Sequence, residues 1–143
     1  MKIIYFLFWF SSTVFASHLP DEDITRPRKS IVQISKKYLG IRYRWGGTTS
    51  RGFDCSGFVL SMYRKIGTNL PRTAREQFKV GISVSKKDLK PGDRVFFGGK
   101  RPTHTGIYIG DNKFIHSSRG GVKINSLDEK YYSKRYLGAR RST

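Results

Sequence analysis

Cysteine is almost absent from this chain. Its 143 residues contain one, Cys55, so no disulfide can form within it. The lone thiol is left as an inert small hydrophobe, an intermolecular partner or a reactive group. Acidic side chains are also scarce, 10 against 28 Lys and Arg, which gives a formal net charge of +18. Such a surface gathers on polyanions. Outside the first fifteen residues there is no long apolar run, so no spanning helix is expected in the body of the chain. Internal repeats and low-complexity tracts are missing too, which leaves one domain with a core of ordinary size.

The first residues carry a different signal. Lys2 precedes an apolar run from Ile3 to Phe10 that continues through Val14 and Phe15, and Val14 and Ala16 are small residues at cleavage-site spacing. This reads as a secretory signal peptide, residues 1–16, cut after Ala16. The run is too short for a membrane anchor, which needs about 20 apolar residues. The stretch 17–29 reads as a polar arm, and 30–143 as the functional domain. The protein is expected to be exported to the periplasm or beyond the cell. With no cysteine near the cut, no lipid anchor is expected, and no transmembrane segment is expected after cleavage. A monomer is expected. The anionic partners open to it are cell wall, lipopolysaccharide or a phospholipid surface. Nucleic acid is not expected, because its recognition signatures are missing and the basic residues are scattered.

Cys55 lies in GFDCSGFVLSMYRKIG (52–67). Cys55, Val59, Met62 and Ile66 follow helical spacing, with Phe58 beside them. Asp54 is a good N-cap and Gly67 a good stop, so the spacing predicts a helix from Cys55 to Ile66. The thiol then sits in the first turn, among free backbone N–H groups at the positive end of the helix dipole. That setting lowers a thiol pKa and supplies donors for an oxyanion. Gly52 and Gly57 are expected to keep the approach open.

A nucleophilic thiol wants a histidine base with an orienting partner. His18 falls in the arm. His104 and His116 lie in HTGIYIGDNKFIHSS (104–118), which reads as a β-hairpin around Gly110-Asp111-Asn112. A three-residue loop would place Gly106 opposite His116 and put both histidines on one face, a diagonal apart. A two-residue loop would put them on opposite faces. A Cys55-His104-His116 zinc set is the other chemistry these residues allow, but the spacing matches no short metal motif. No metal or other cofactor is expected.

The remaining segments fit the same domain. Residues 27–40 read as an amphipathic helix with Ile31, Ile34, Tyr38 and Leu39 on its apolar side. IRYRWGGTTS (41–50) reads as extended. Thr73 and Glu76 form a capping box opening a short helix toward Gly81. Strands are expected over 94–97, 121–125 and 135–142, with a short helix near Leu127–Tyr132. Helices first and strands after predict an α+β fold, in which the Cys55 helix packs on an antiparallel sheet.

YRWGG (43–47), FDCSGFV (53–59), LPRTAREQF (70–78), LKPGDRVFF (89–97) and HTGIYIGDNKFIHSS (104–118) resemble, in order, the successive motifs of the NlpC/P60 family of bacterial cell-wall cysteine peptidases. The likeness runs over about residues 30–141. It is greatest to the small murein endopeptidases of the Spr type, a group that KRYLGARR (134–141) also resembles. The resemblance implies a papain-like fold and hydrolysis of peptidoglycan stem peptides. It implies Cys55 as nucleophile, His104 as general base and His116 as the group that orients it. Tyr43 matches a tyrosine lining the family's site and is a candidate oxyanion donor. Asp54 and Ser56 flank the nucleophile, and Arg72 and Trp45 also match motif positions. The bond implied is the D-alanine–diamino acid cross-link or the D-glutamyl–diamino acid bond.

Two departures stand out. The lipid-attachment cysteine of many Spr-type relatives is missing, and Thr105 replaces the usual valine after the base histidine. The same thiol chemistry also permits a wall amidase or acyltransferase, or a toxin aimed at a rival's wall. A cationic binder of wall or lipopolysaccharide with an inactive site is the non-enzymatic alternative.

Overall fold

A computed structural model describes the backbone of residues 19–142 and the side chains of residues 27–142. The expected signal peptide, 1–16, lies outside the described residues. Helix α1 (Leu19–Lys36) begins earlier than its apolar periodicity indicates and contains Pro27. The stretch 19–29, expected as an arm, is therefore helical. Ile31 is buried, Ile34 and Tyr38 pack at the edge of the core, and Leu39 lies beyond the helix end, exposed. Two short strands follow, β1 (Thr48–Thr49) and β2 (Gly52–Phe53), paired antiparallel. Helix α2 (Cys55–Lys65) is next, then the one-turn α3 (Ala74–Gln77), whose Thr73 cap accepts from the Glu76 amide at 3.2 Å.

The rest is sheet: β3 (Ile82–Val84), β4 (Arg94–Gly98), β5 (Pro102–Gly110), β6 (Lys113–Ser118) and β7 (Gly121–Ser126), then helix α4 (Lys130–Arg135) and β8 (Tyr136–Arg141). The six strands are ordered β3-β8-β4-β5-β6-β7, antiparallel throughout. The fold is α+β, as expected. Helix α4 starts three residues later than the sequence reading placed it. The carboxylate of Glu129 accepts from the Ser126 amide at 2.7 Å, which holds 126–129 as a turn.

The sheet separates two cores. On one face Ile107, Ile115 and Val122 pack against α1 and α2 through Ile31, Phe58, Val59 and Met62. Side-chain alternation puts Val95, Phe97, His104, Gly106, Phe114 and His116 on the other face. There Phe97 and Phe114 stack with Tyr132 of α4. The Cys55 helix and the two histidines thus belong to opposite faces and meet only around the start of β5. No helix among the described residues is long and apolar enough to cross a membrane.

Candidate active site

Asp54 starts α2 as its N-cap, accepting from the Gly57 amide at 2.7 Å. Cys55 is therefore the first helical residue, as the sequence indicates. Its thiol donates to the Thr103 carbonyl, 3.7 Å away, at the beginning of β5. The backbone amides of Thr105, Ser56 and Cys55 draw the thiol pKa down, but burial outweighs them and pushes it up, with Asp54 adding to the rise. This corrects the expectation of a lowered pKa: the first-turn position supplies donors, and desolvation of the thiolate dominates. The glycines also differ from expectation. A Cβ at Gly57 would meet the Gly47 carbonyl oxygen at 2.0 Å, and one at Gly52 the Arg44 Cβ at 2.5 Å. Both let backbone segments close on each other and do not open a path to the sulfur.

The hairpin settles the conditional reading of the histidines in an unforeseen way. Its turn has two residues, Asp111 and Asn112, both at positive φ, with Gly110 paired to Lys113. By itself that turn would put the histidines on opposite faces. An extra residue in β5, Ile109, forms a bulge and shifts the register back, so that Tyr108 faces Phe114 and Ile107 faces Ile115. Gly106 falls opposite His116, and a Cβ there would lie 2.9 Å from the His116 Cβ.

His104 Nε2 and His116 Nδ1 are 2.7 Å apart, and His116 Nε2 is 2.7 Å from Asn125 Oδ1. Asn125 Nδ2 donates to both oxygens of Glu129, at 3.1 and 3.0 Å. These contacts fix every proton. A carboxylate only accepts, so Asn125 must turn its NH2 to Glu129 and its oxygen to His116. His116 then carries its proton on Nε2 and accepts at Nδ1. His104 must donate from Nε2, which leaves its Nδ1 lone pair for the thiol. Burial, chiefly, pushes His104 down to about 3 and His116 down to about 4, so both rings are neutral in the free protein. The Ser126 amide and Asn125 hold the Glu129 carboxyl below its ordinary range.

Cys55, His104 and Tyr43 line one cavity of about 820 Å³. Burial raises the Tyr43 pKa, with Cys55 and Asp54 acting in the same direction, so its hydroxyl keeps its proton and is a donor. Asp54, Ser56 and Arg72 do not line this cavity. Arg72 grips Asp54 at 2.6 and 3.1 Å and donates to the Ser56 hydroxyl at 3.0 Å. Trp45 is 87 % exposed and packs on nothing in the core. The Thr105 hydroxyl donates to the Val95 carbonyl at 2.9 Å, facing away from His104, so the departure from valine is absorbed. Among the described residues, no three His, Cys, Asp or Glu side chains converge on a metal position. The two histidines spend one nitrogen each on one another.

Asn125 and Glu129 escaped the sequence reading. Asn125 is one of five residues of an ordinary-looking strand segment, and Glu129 fell inside the expected helix. Period-2 alternation puts Asn125 on the face of Lys123, which pairs with His116, but only once the β6–β7 register is known.

The model of the NlpC/P60 family matches residues 40–141. Among curated proteins, the chain is 50% identical over 107 residues to the murein DD-endopeptidase MepS/murein LD-carboxypeptidase of Escherichia coli K12, covering 73% of this chain and 57% of that protein. It is 45% identical over 115 residues to a probable endopeptidase NlpC homolog of Haemophilus influenzae, covering 79% and 62%. The chain thus spans less than two thirds of the length of either relative. Among solved structures, an NlpC/P60 family protein from Bacillus cereus superposes with a TM-score of 0.77 at 38% identity, over 80% of this chain and 39% of that one. The NlpC/p60 domain of the peptidoglycan hydrolase SagA gives 0.73 at 29% identity, over 80% and 98%.

Proposed function

Because the chain belongs to the NlpC/P60 family, we propose that it is an exported cysteine peptidase hydrolysing amide bonds in peptidoglycan stem peptides. The observation that carries this reading is the directed hydrogen-bond chain behind His104, in a cavity His104 shares with Cys55.

The chemistry follows from the protonation states. Thiol and imidazole are both neutral at rest. As Cys55 Sγ attacks the amide carbonyl, its proton passes to His104 Nδ1. The positive charge that forms is held by His116, whose Nδ1 accepts from His104 and whose Nε2–H is anchored by Asn125. The oxyanion faces the amides at the start of α2 and the Tyr43 hydroxyl. His104 then gives its proton to the leaving amine, and the C–N bond breaks to leave a thioester. Water, losing a proton to His104, hydrolyses the thioester and restores the thiol. Asp54 is fully engaged in capping and in holding Arg72. Ser56 is buried, so Arg72, with its side chain 39% exposed, is the part of that cluster a substrate can touch.

Two bonds fit this mechanism. Greater identity to the DD-endopeptidase, 50% against 40% to a gamma-D-glutamyl-L-lysine dipeptidyl-peptidase of Bacillus subtilis, favours the D-alanine–diamino acid cross-link. Residues 1–16 act as the signal peptide in this reading, and the positive surface keeps the enzyme on anionic wall polymer.

The test is digestion of intact sacculi by wild type and Cys55→Ala, with released peptides identified by mass spectrometry. Cysteine-dependent conversion of cross-linked dimers to monomers is expected. Stems trimmed after D-glutamate would assign the other bond. Wall binding without cysteine-dependent product would overturn the peptidase reading in favour of a cationic wall binder.

A further inference from the structure

We propose that a second cavity, which shares His104 with the first but not Cys55, is the subsite for the amine half of the substrate. It takes a leaving group that carries a free carboxylate, held chiefly by Arg119. The inference rests on the peptidase reading above and adds to it which half of the substrate is recognised by charge.

Geometry assigns the halves. In the tetrahedral intermediate the acyl carbon is bonded to Cys55 Sγ, and the amine nitrogen must lie within hydrogen-bond reach of His104. The acyl half therefore runs through the cavity that contains Cys55 and Tyr43, and the amine half continues past His104. A cavity of about 760 Å³ begins there, and it shares Thr103, His104, Ser118 and Arg119 with the first.

Its charged groups are Arg119, Lys123, Arg135 and Glu129. The single acid is already occupied by Asn125 and the Ser126 amide. Arg135 lies 3.8 Å over the ring of Tyr131 and donates to its carbonyl. Lys123 Nζ donates to the Arg119 carbonyl at 3.0 Å and keeps two protons for other acceptors. Arg119 is exposed and lines both cavities together with Thr103, His104 and Ser118, so it lies where the second opens from the first. An arginine fork grips a carboxylate with two charge-assisted hydrogen bonds and gains much less from a neutral amide. A diamino acid joined through one amine, with the neighbouring carboxyl free, fits this wall.

The experiment uses matched peptide pairs with the same acyl half, ending in D-alanine or in γ-linked D-glutamate. The leaving diamino acid carries a free carboxyl beside the scissile amine in one member and a carboxamide in the other. Wild type is expected to prefer the carboxylate by about tenfold in kcat/KM, the effect of one charge-assisted contact. Arg119→Gln should bring that ratio toward one, mainly through KM. Arg64→Gln, which removes the same charge from the exposed end of α2, should keep the ratio. Equal rates on a pair, or a preference that survives Arg119→Gln, would overturn the subsite alone. If that variant fails to fold by circular dichroism, Lys123→Gln and wild type at rising salt replace it, and an unchanged ratio in both is equally fatal. Failure of wild type to cleave any member would overturn the peptidase reading, and the subsite with it.

Discussion

A neutral histidine can carry its proton on either ring nitrogen, and only one choice leaves His104 Nδ1 free for a thiol. The choice is made three residues along a hydrogen-bond chain from His104. Glu129 orients Asn125, Asn125 fixes His116, and His116 fixes His104. Asn125→Leu keeps the branched shape and removes both the acceptor for His116 and the donor to Glu129. It should lower kcat by about tenfold or more while KM stays near wild type, because the interaction matters most when positive charge forms on the pair. Nitrogen NMR of the imidazoles should show His116 protonated on Nε2 in wild type and a mixture of tautomers in the variant. A KM effect with unchanged kcat would assign Asn125 to substrate binding instead. Burial of the two neutral rings also couples to stability. Their folded-state values, about 3 and about 4, lie below the unfolded value near 6.5. As pH falls below 6.5 the unfolded chain takes up protons that the folded chain refuses, so stability is lost progressively down to about pH 3–4. The slope approaches about 1.4 kcal/mol per pH unit for each histidine. Urea midpoints measured from pH 7 to pH 5 should fall in wild type and fall less in His104→Gln/His116→Gln. Parallel curves would show that other groups set the acid limit.

At the scale of elements, the β5–β6 hairpin decides whether a site exists. Gly106 is the position where strand and ring come closest. A Cβ there would meet His116 Cβ and the Ile115 carbonyl at 2.9 Å and Phe114 Cδ2 at 3.0 Å. Gly106→Ala should destabilise the fold by about 1–3 kcal/mol and depress kcat by displacing His116. Gly99→Ala, which meets open space, serves as the stability control. Wild-type stability and turnover in Gly106→Ala would mean the hairpin tolerates repositioning of the ring. The same hairpin shows what sequence can carry. Alternation and the turn signal located it, and they left its register open between two loop lengths; the pairing of the three-residue case is found with a two-residue turn plus a bulge. A bulge leaves no mark in a period-2 pattern, because the inserted Ile109 is as apolar as its neighbours. Helix α2 was legible because cap, periodicity and stop agree. The start of α1 was not, since residues 19–26 lack an apolar stripe and Pro27 suggests a beginning. Strand β3 was missed as well: Ile82 and Ser83 are exposed at the sheet edge, and three residues carry too little alternation to read. Cys55, His104 and His116 announced themselves as candidates by type, whereas Asn125 and Glu129 depend on a register between strands, which only the folded chain supplies.

Across the whole molecule, charge is the dominant feature. A formal +18 on a chain of this length gives a surface suited to an anionic polymer. Retention on sacculi should therefore fall steeply between low salt and about 1 M salt, as the screening length shrinks from about 10 Å to about 3 Å. Cys55→Ala should show the same salt curve as wild type, since it removes a neutral thiol and none of the basic charge. Salt-independent retention would point to specific contacts in place of charge. The order of the strands has another consequence. Strand β8 comes last in the described chain, yet it lies inside the sheet, between β3 and β4. Its Arg141 closes on Asp93 at 2.8 Å, and Arg94, buried in the core, reaches Ser142. While the chain is being made, Cys55, His104 and His116 are added before the strand that joins β4 to β3 has appeared. The edge of β4 that pairs with β8 therefore stays open until synthesis has run through residue 141.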